Sequence, residues 1–455
     1  MEGFMVRFAL IFTIISLLLV TSVSVNASES RLVGMNYFNY YNPLGTSSLI
    51  EDNFNITYIS GYVNSDSNFL VIEPRQGSVG IFDNSYGVVK YSINTPIEKL
   101  NIGAIINYPY YELALLTNFV VSLTTTLNDH LRNRIEVLLG VSQILGIKLL
   151  RPYLGFGYAS DYTNFNISLY QGDTLTNSVN ARQSISQIKI ILGSIVDLSF
   201  IKVDASVKIY LPSYENSYRT NVPQVNNYQN FIEEKSGGAF GLDITAQPRL
   251  GLGGTSYLLG IARYFTYSLP ASQVIRVDIN GDGNLEADTT VNQDYQNVII
   301  TTGASFNTYI NNILVSLGLS LGIQNSFRKT ASGNQEFSTS TSSMYVPIFA
   351  SFEIPFVDWF LIRGGLSKYI YQNYYSEVNN RQINGTVIDN SLSTPLSSLS
   401  LGFSIKPIKD LSLDWVVSYS FLNSVIVNGT LPWILSGATG FNNVTYLFSI
   451  EYRIP

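Results

Sequence analysis

The sequence predicts an all-β protein, a transmembrane antiparallel β-barrel of about 14–16 strands with short periplasmic turns and long external loops. Three observations predict it: a low-charge, aromatic-rich composition, long segments of strict alternation, and tight turns that recur at a regular spacing. Charged residues make up only 13% of the 455 residues, and 31 Tyr and 25 Phe bring the aromatic share to 13%. A soluble domain usually carries about 25% charged residues. Mean hydropathy is nevertheless only +0.16, far from a bundle of membrane helices. Strands with one face in lipid and the other in water reconcile the two figures.

The alternation follows from strand geometry, in which successive side chains point to opposite faces. Ile201, Val203, Ala205, Val207, Ile209 and Leu211 alternate with Lys202, Asp204, Ser206 and Lys208. Ile313, Val315, Leu317, Leu319, Leu321 and Ile323 alternate with Ser316, Gly318, Ser320 and Gly322. Leu399–Ile405, Leu411–Phe421 and Val444–Ile454 repeat the pattern. A helix would need a period near 3.6, which these segments lack. The small, polar face suits a wet lumen, so arginine at Ser320 is expected to be far milder than arginine at Leu319. Aromatics cluster at Tyr108–Tyr111, Tyr264–Tyr267, Trp359–Phe360 and Tyr369–Tyr375, where an interfacial girdle is expected.

Tight reversals are expected at Glu98-Lys99, near Gly146, at Asp197, Gly251–Thr255, Asn311-Asn312, Val357-Asp358 and Lys409-Asp410. Between them lie longer polar stretches, 213–236, 270–295, 330–341, 377–394 and 423–443, expected as external loops joining strands of 10 to 15 residues. Counting these reversals gives 16 strands. The stretches before residue 94 and between 110 and 146 alternate weakly, which leaves 14 open.

Residues 1–27 read as an export signal. Arg7 precedes an apolar run from Phe8 to Val20, and Val25-Asn26-Ala27 is a small-residue cleavage site. The run is short for a spanning helix, which needs roughly 20 residues. The division expected is a signal at 1–27, an N-terminal segment at 28–53 serving as plug or periplasmic lead-in, and the barrel at 54–455. With no cysteine, the exported chain has no disulfide framework, thiolate metal site or thiol nucleophile.

The organisation resembles Gram-negative outer-membrane porins and transport barrels. Asn42-Pro43-Leu44-Gly45 resembles the Asn-Pro-Ala-Gly that opens barrels of the long-chain fatty-acid transporter family, with Leu44 in the alanine position. In that family the motif lies in an N-terminal segment associated with a plug inside the barrel, which implies a plug here and makes a hydrophobic substrate one option. The last strand, with Phe448, Ile450 and Tyr452 on one face, resembles a barrel-assembly signal, although it ends Ile454-Pro455 and not on an aromatic.

Few residues point to chemistry. His130 is the only histidine, in the polar run Asn128–Arg132, and reads as a solvated loop residue. A hydrolase would need a serine or carboxylate partner in a local motif, and none is evident, so no catalytic residue is assigned. Asp278, Asn280 and Asp282, followed by Gly283, match the first half of a calcium loop. The closing acid is displaced, with Glu286 at position 9 and Asp288 one residue early; a solvated acidic turn is the alternative reading. Calcium is the one cofactor suggested. Charged residues on polar strand faces are lumen candidates: Lys202, Asp204, Lys208, Arg328, Glu353, Arg363, Lys368, Asp414, Glu451 and Arg453. They carry both signs, which argues against strong ion selectivity. A net charge of −6 without a Lys/Arg run excludes a nucleic-acid stripe.

The function expected is a non-enzymatic outer-membrane channel or transporter, passive or weakly selective, for small solutes. Its partners would be the lipid bilayer, the barrel-assembly machinery and those solutes. The alternatives are a structural or adhesive barrel, a secreted soluble β protein and, least favoured, a barrel hydrolase. Oligomeric state is not legible.

Overall fold

The structure is a computed structural model describing residues 49, 52–57, 59–65, 67–73, 86–95, 98–107, 133–142, 149–171, 174–222, 228–278, 287–332, 335–380, 385–391, 397–417 and 445–454. The signal segment, Asn42–Gly45, His130 and the stretch 423–443 lie outside these residues.

One antiparallel sheet accounts for nearly all of them. Its first strands are β1 (Asn68–Glu73), β2 (Tyr86–Asn94), β3 (Lys99–Ile106), β4 (Asn133–Val141), β5 (Leu150–Gln171) and β6 (Thr174–Asp197). Next come β7 (Ile201–Val222), β8 (Tyr228–Ser236), β9 (Phe240–Gly253), β10 (Ser256–Val277), β11 (Ala287–Ile310) and β12 (Ile313–Ser332). The last are β13 (Gln335–Val357), β14 (Phe360–Asn380), β15 (Gly385–Ser391), β16 (Ser397–Ile408), β17 (Leu411–Val417) and β18 (Thr445–Ile454).

The sheet closes because β1 pairs with β2 on one side and β18 on the other. β8 and β9 both pair with β7 and with β10, end to end, so they form one wall strand interrupted near Gly238, whose φ of 70° a glycine accommodates. β15 and β16 share β14 in the same way. The ring therefore has sixteen wall strands, all antiparallel. Among the described residues no helix is long and apolar enough to cross a membrane.

Six of the seven tight reversals fall at the expected places, on the side where β1 starts and β18 ends, and the seventh, near Gly146, lies outside the described residues. Asn311 and Asn312 make a two-residue hairpin with φ of 50° and 67°, the left-handed pair that asparagine tolerates. The opposite side differs from expectation. The strands do not stop at 10 to 15 residues; β5, β6, β7 and β10–β14 run to 20–24. Most of the expected loops 213–236, 270–295, 330–341 and 377–394 are paired strand. Pairing persists in this outer extension without apolar alternation, and Tyr214, Asn216, Glu234 and Tyr295 are buried on its inner face. A strand of 22 residues tilted by about 40° rises roughly 55 Å, against a hydrocarbon layer of about 30 Å.

The apolar faces point outward. Leu317 and Leu319 are about half exposed, while Ser316 and Ser320 are fully buried. Leu154, Phe156, Ile188, Ile190, Leu192, Ile348 and Leu366 continue this exterior belt. An apolar exterior on a closed barrel makes the chain a membrane-embedded protein. Near the tight-turn end an aromatic row crosses four strands: Trp359, Phe360, Phe403, Trp415 and Phe448, with successive ring centroids 5.0–6.2 Å apart. The cluster at 264–267 divides otherwise. Tyr264 faces out, whereas Phe265 and Tyr267 pack with Tyr210 inside the barrel.

Candidate functional site

The lumen is not an open, uniformly wet channel at the tight-turn end. The described residues between Leu49 and Ser65 lie inside it, with two 3-10 turns, Asn53–Thr57 and Ser60–Asn64. Leu49, Ile56, Ile59 and Val63 are buried against inward residues of the wall, among them Phe69, Val71, Leu138, Ile191 and Ile195. Burying those four side chains contributes at most about 6–12 kcal/mol to docking.

Polar contacts fix the register of this plug. The Asn64 side-chain amide donates to the carbonyls of Arg151 (3.1 Å) and Pro152 (3.2 Å), and its oxygen accepts from Asn101 (2.9 Å). The Lys90 ammonium donates to the Ser65 carbonyl at 2.7 Å. Ser305 and Asn307 donate to the Leu49 carbonyl. Each buried plug group so engaged avoids the cost of an unmade hydrogen bond. Glycines supply the room. A Cβ at Gly103 would lie 3.2 Å from Ile56, and one at Gly140 would overlap Asn64. Gly61, on the plug itself, lies against the Asp204 carboxylate. The small residues on the inner face thus accommodate a docked segment, where sequence reasoning saw only a wet surface.

The inner face of the wall also carries buried ion pairs. Arg363 donates to Glu353 on β13 at 2.9 Å and to Asp414 on β17 at 2.7 Å. It reaches β17 across β16, where the residue opposite it is Gly402. Lys189 on β6 reaches Glu136 on β4 at 2.7 Å, over Gly157 of β5. Arg263 grips Asp243 with two bonds of 2.8 Å. The Tyr153 hydroxyl donates to Asp204 at 2.5 Å. Such pairs in low dielectric are strongly coupled, because loss of one partner strands a buried charge.

The predicted lumen residues divide accordingly. Asp204, Lys208, Glu353, Arg363, Asp414 and Glu451 are buried inside, and Lys202, Arg328 and Arg453 are half-buried on the same inner face. Lys368 is not a lumen residue. It pairs with the outward Ile348 and shares the exposed face of Leu366. Glu136, Lys189, Asp243, Arg263, Lys90 and Arg134 were missed, although all are buried inside. Only Asp278 and Asp288 of the calcium set are described. Asp278 is buried at the end of β10, and Asp288, in β11, stands opposite Arg276. Asn280, Asp282 and Glu286 lie outside the described residues, among which no three acids or histidines gather as a metal site.

A cavity of about 320 Å³ remains between plug and wall on the tight-turn side. Asp52, Gly61 and Asn64 line it from the plug, and Arg151, Lys202, Asp204 and Arg249 from the wall. Arg151 pairs with Asp197 at 3.0 Å, and the Arg249 guanidinium sits 4.5 Å over the Tyr257 ring.

No protein-family model matches the chain, and no curated protein sequence matches it. Solved structures similar to it include the translocator domain of the autotransporter NalP from Neisseria meningitidis: 12% identity over 75% of this chain and 94% of that one, TM-score 0.26. The outer membrane protease OmpT from Escherichia coli matches at 8% identity over 67% and 96%, TM-score 0.26. The siderophore receptor PiuA from Acinetobacter baumannii matches at 8% over 78% and 71%, TM-score 0.29. The barrel assignment rests on the strand pairing itself.

Proposed function

We propose that this chain is an outer-membrane conduit for small solutes, non-enzymatic, whose passage is controlled by its own N-terminal segment. A sixteen-stranded wall is wide enough to hold an aqueous channel. The observation that carries the reading is the docking of residues 49–65 inside that wall, on contacts specific enough to fix one position. A purely structural or adhesive barrel has no need of a shaped plug. Exposed apolar strand faces argue against a secreted soluble protein. In this reading the chain is processed near Ser28 and inserted by the barrel-assembly machinery. The test is conductance of the purified protein in planar bilayers, with the plug in place and with Leu49 and Asn64 replaced by alanine. Discrete openings that lengthen in the variant support the conduit. Silence in both leaves the adhesive barrel, whose long outer hairpins would be the binding surface.

A further inference from the structure

Lys368 interrupts the apolar exterior belt from a position inside it. The belt reaches down to the tight turns, where Ile93, Leu150, Leu198, Leu252, Ile310 and Phe356 are all exposed. Its upper edge is visible on two strands. On β7 the outward residues are apolar from Ile201 to Leu211 and become polar at Ser213 and Glu215. On β12 they are apolar from Ile313 to Ile323 and become polar at Asn325. Either run rises roughly 26 Å at a tilt of about 40°, close to the hydrocarbon thickness of about 30 Å. From Phe360, where β14 begins, to Lys368 the rise is only roughly 21 Å. Lys368 therefore stands below the edge, in the half of the belt nearer the long hairpins. The residues around it offer no counter-charge. Ile348 stands opposite it on β13 and Ser397 on β16, with Ala350, Leu366 and Leu399 one step toward the turns. Glu353 and Asp414 point into the lumen and are held by Arg363. Among the described residues no acid pairs with Lys368.

We propose that Lys368 holds an anionic lipid, its ammonium paired with the headgroup phosphate of a lipid in the leaflet on the long-hairpin side. A lysine on a lipid-facing strand is costly at the bilayer midplane and tolerated near the interface. Its flexible stem can lie along the apolar neighbours while the ammonium rises to the headgroups. The ammonium is a compact point charge with rotatable donors, which suits a phosphate without a fixed orientation. Continuity with the belt identifies the occupant. The strands on either side of Lys368 already meet lipid at Ile348 and Leu399, so the group above it is a headgroup. A cation at that level attracts anionic lipid over zwitterionic lipid. The inference is independent of the conduit reading, because it concerns the face of the wall turned away from the plug.

The experiment measures urea unfolding of the full chain reconstituted in vesicles of phosphatidylcholine alone and of phosphatidylcholine mixed with phosphatidylglycerol. Phosphatidylglycerol is expected to favour the folded wild type. Lys368→Met is expected to fold normally, since methionine suits a lipid-facing position, and to lose about fivefold of that gain in the unfolding equilibrium constant. Lys368→Arg is expected to keep the gain. Arg219→Gln, exposed on the outer extension, is expected to match the wild type. Inorganic phosphate added to the phosphatidylcholine vesicles is expected to change nothing. A phosphatidylglycerol gain as large in Lys368→Met as in the wild type, or none in the wild type, overturns the contact. Equal losses in Lys368→Met and Arg219→Gln also overturn it, because the gain would then follow net charge and not place. Substitution of the lipid by inorganic phosphate would make the site one for a free anion and overturns the lipid assignment.

Discussion

Gly61 of the plug rests against the carboxylate of Asp204 on the wall, so closely that any Cβ at position 61 would overlap it. The carboxylate has little freedom to retreat, because the Tyr153 hydroxyl holds it at 2.5 Å. Gly61→Val should therefore loosen the plug without touching a wall strand. Overpacking of about 1–3 kcal/mol moves the docking equilibrium roughly 5- to 150-fold toward release. Planar-bilayer recordings should show longer openings, with normal heat-modifiable migration on gels. Gly237→Val, at a position with open space around it, should record like the wild type.

Arg363 bridges Glu353 and Asp414 from a fully buried position. Arg363→Met leaves two facing carboxylates and should cost about 3–5 kcal/mol in urea unfolding of the reconstituted protein. The triple change Glu353→Gln/Arg363→Met/Asp414→Asn removes the stranded charges and should recover most of that loss. If the single and triple variants unfold alike, the three residues do not act as a unit.

Glu234 lies on the outer extension, opposite Gln273 and beyond the exterior belt. Burial raises its pKa above the ordinary glutamate value, with the Tyr214 hydroxyl and Arg328 opposing the shift. A raised acid pKa favours the protonated folded state. That contribution is fully present below the unfolded value near 4.5 and is lost as pH rises through the folded value. Glu234→Gln should therefore melt higher than the wild type at pH 7, and the difference should vanish at pH 4. A melting difference that is constant across that range would refute the assignment.

The wall was legible where one face meets lipid and the other meets small polar groups, as in β7, β12, β16 and β17. It was illegible where the inner face meets the plug. Ile191 and Ile195 point inward onto it, so Ile188–Val196 is apolar on both faces and its alternation disappears, concealing Lys189. Leu138 does the same to β4 and conceals Glu136. The plug itself has no period to read. Its position depends on partners far away in sequence, such as Asn307 for Leu49 and Arg151 for Asn64. The charged lining of the cavity beside the plug was half visible. Lys202 stood out by alternation, but Arg249 sits beside Pro248 near a turn, and Arg151 beside Pro152, where no alternating run singles them out.

Calcium remains a prediction about the connection between β10 and β11. The register brings Val277 opposite Ala287, so residues 278–286 join the strands. In the register Asp288 already belongs to β11, opposite Arg276, and Glu286 is the acid within the connection itself that could complete Asp278, Asn280 and Asp282. Calorimetric titration should give a dissociation constant of about 10⁻⁴–10⁻³ M, the range of extracellular modules. Asp278→Ala/Asp282→Ala should abolish the heat. Equal heats from both proteins would leave a solvated acidic turn.

Leu319 and Ser320 are adjacent residues with opposite surroundings, and arginine at each tests the faces separately. Leu319 is about half exposed on the exterior belt. There Leu319→Arg should cost about 2–4 kcal/mol of barrel stability near the bilayer midplane. Sequence alone suggested that Ser320→Arg would simply enter a wet lumen. The structure changes that expectation, because Ser320 is fully buried opposite Gly303, and Leu49 of the plug lies over the same place. An arginine at 320 has nowhere to go while Leu49 is docked. The wall strands can keep their pairing only if the plug yields. Ser320→Arg should therefore fold and insert like the wild type in urea titrations but open far more in bilayer recordings, like Gly61→Val. Combining Ser320→Arg with Gly61→Val should add little further opening, since the plug is displaced once. Full additivity of the two, or a stability loss at 320 equal to that at 319, would show that Leu49 does not compete with this side chain.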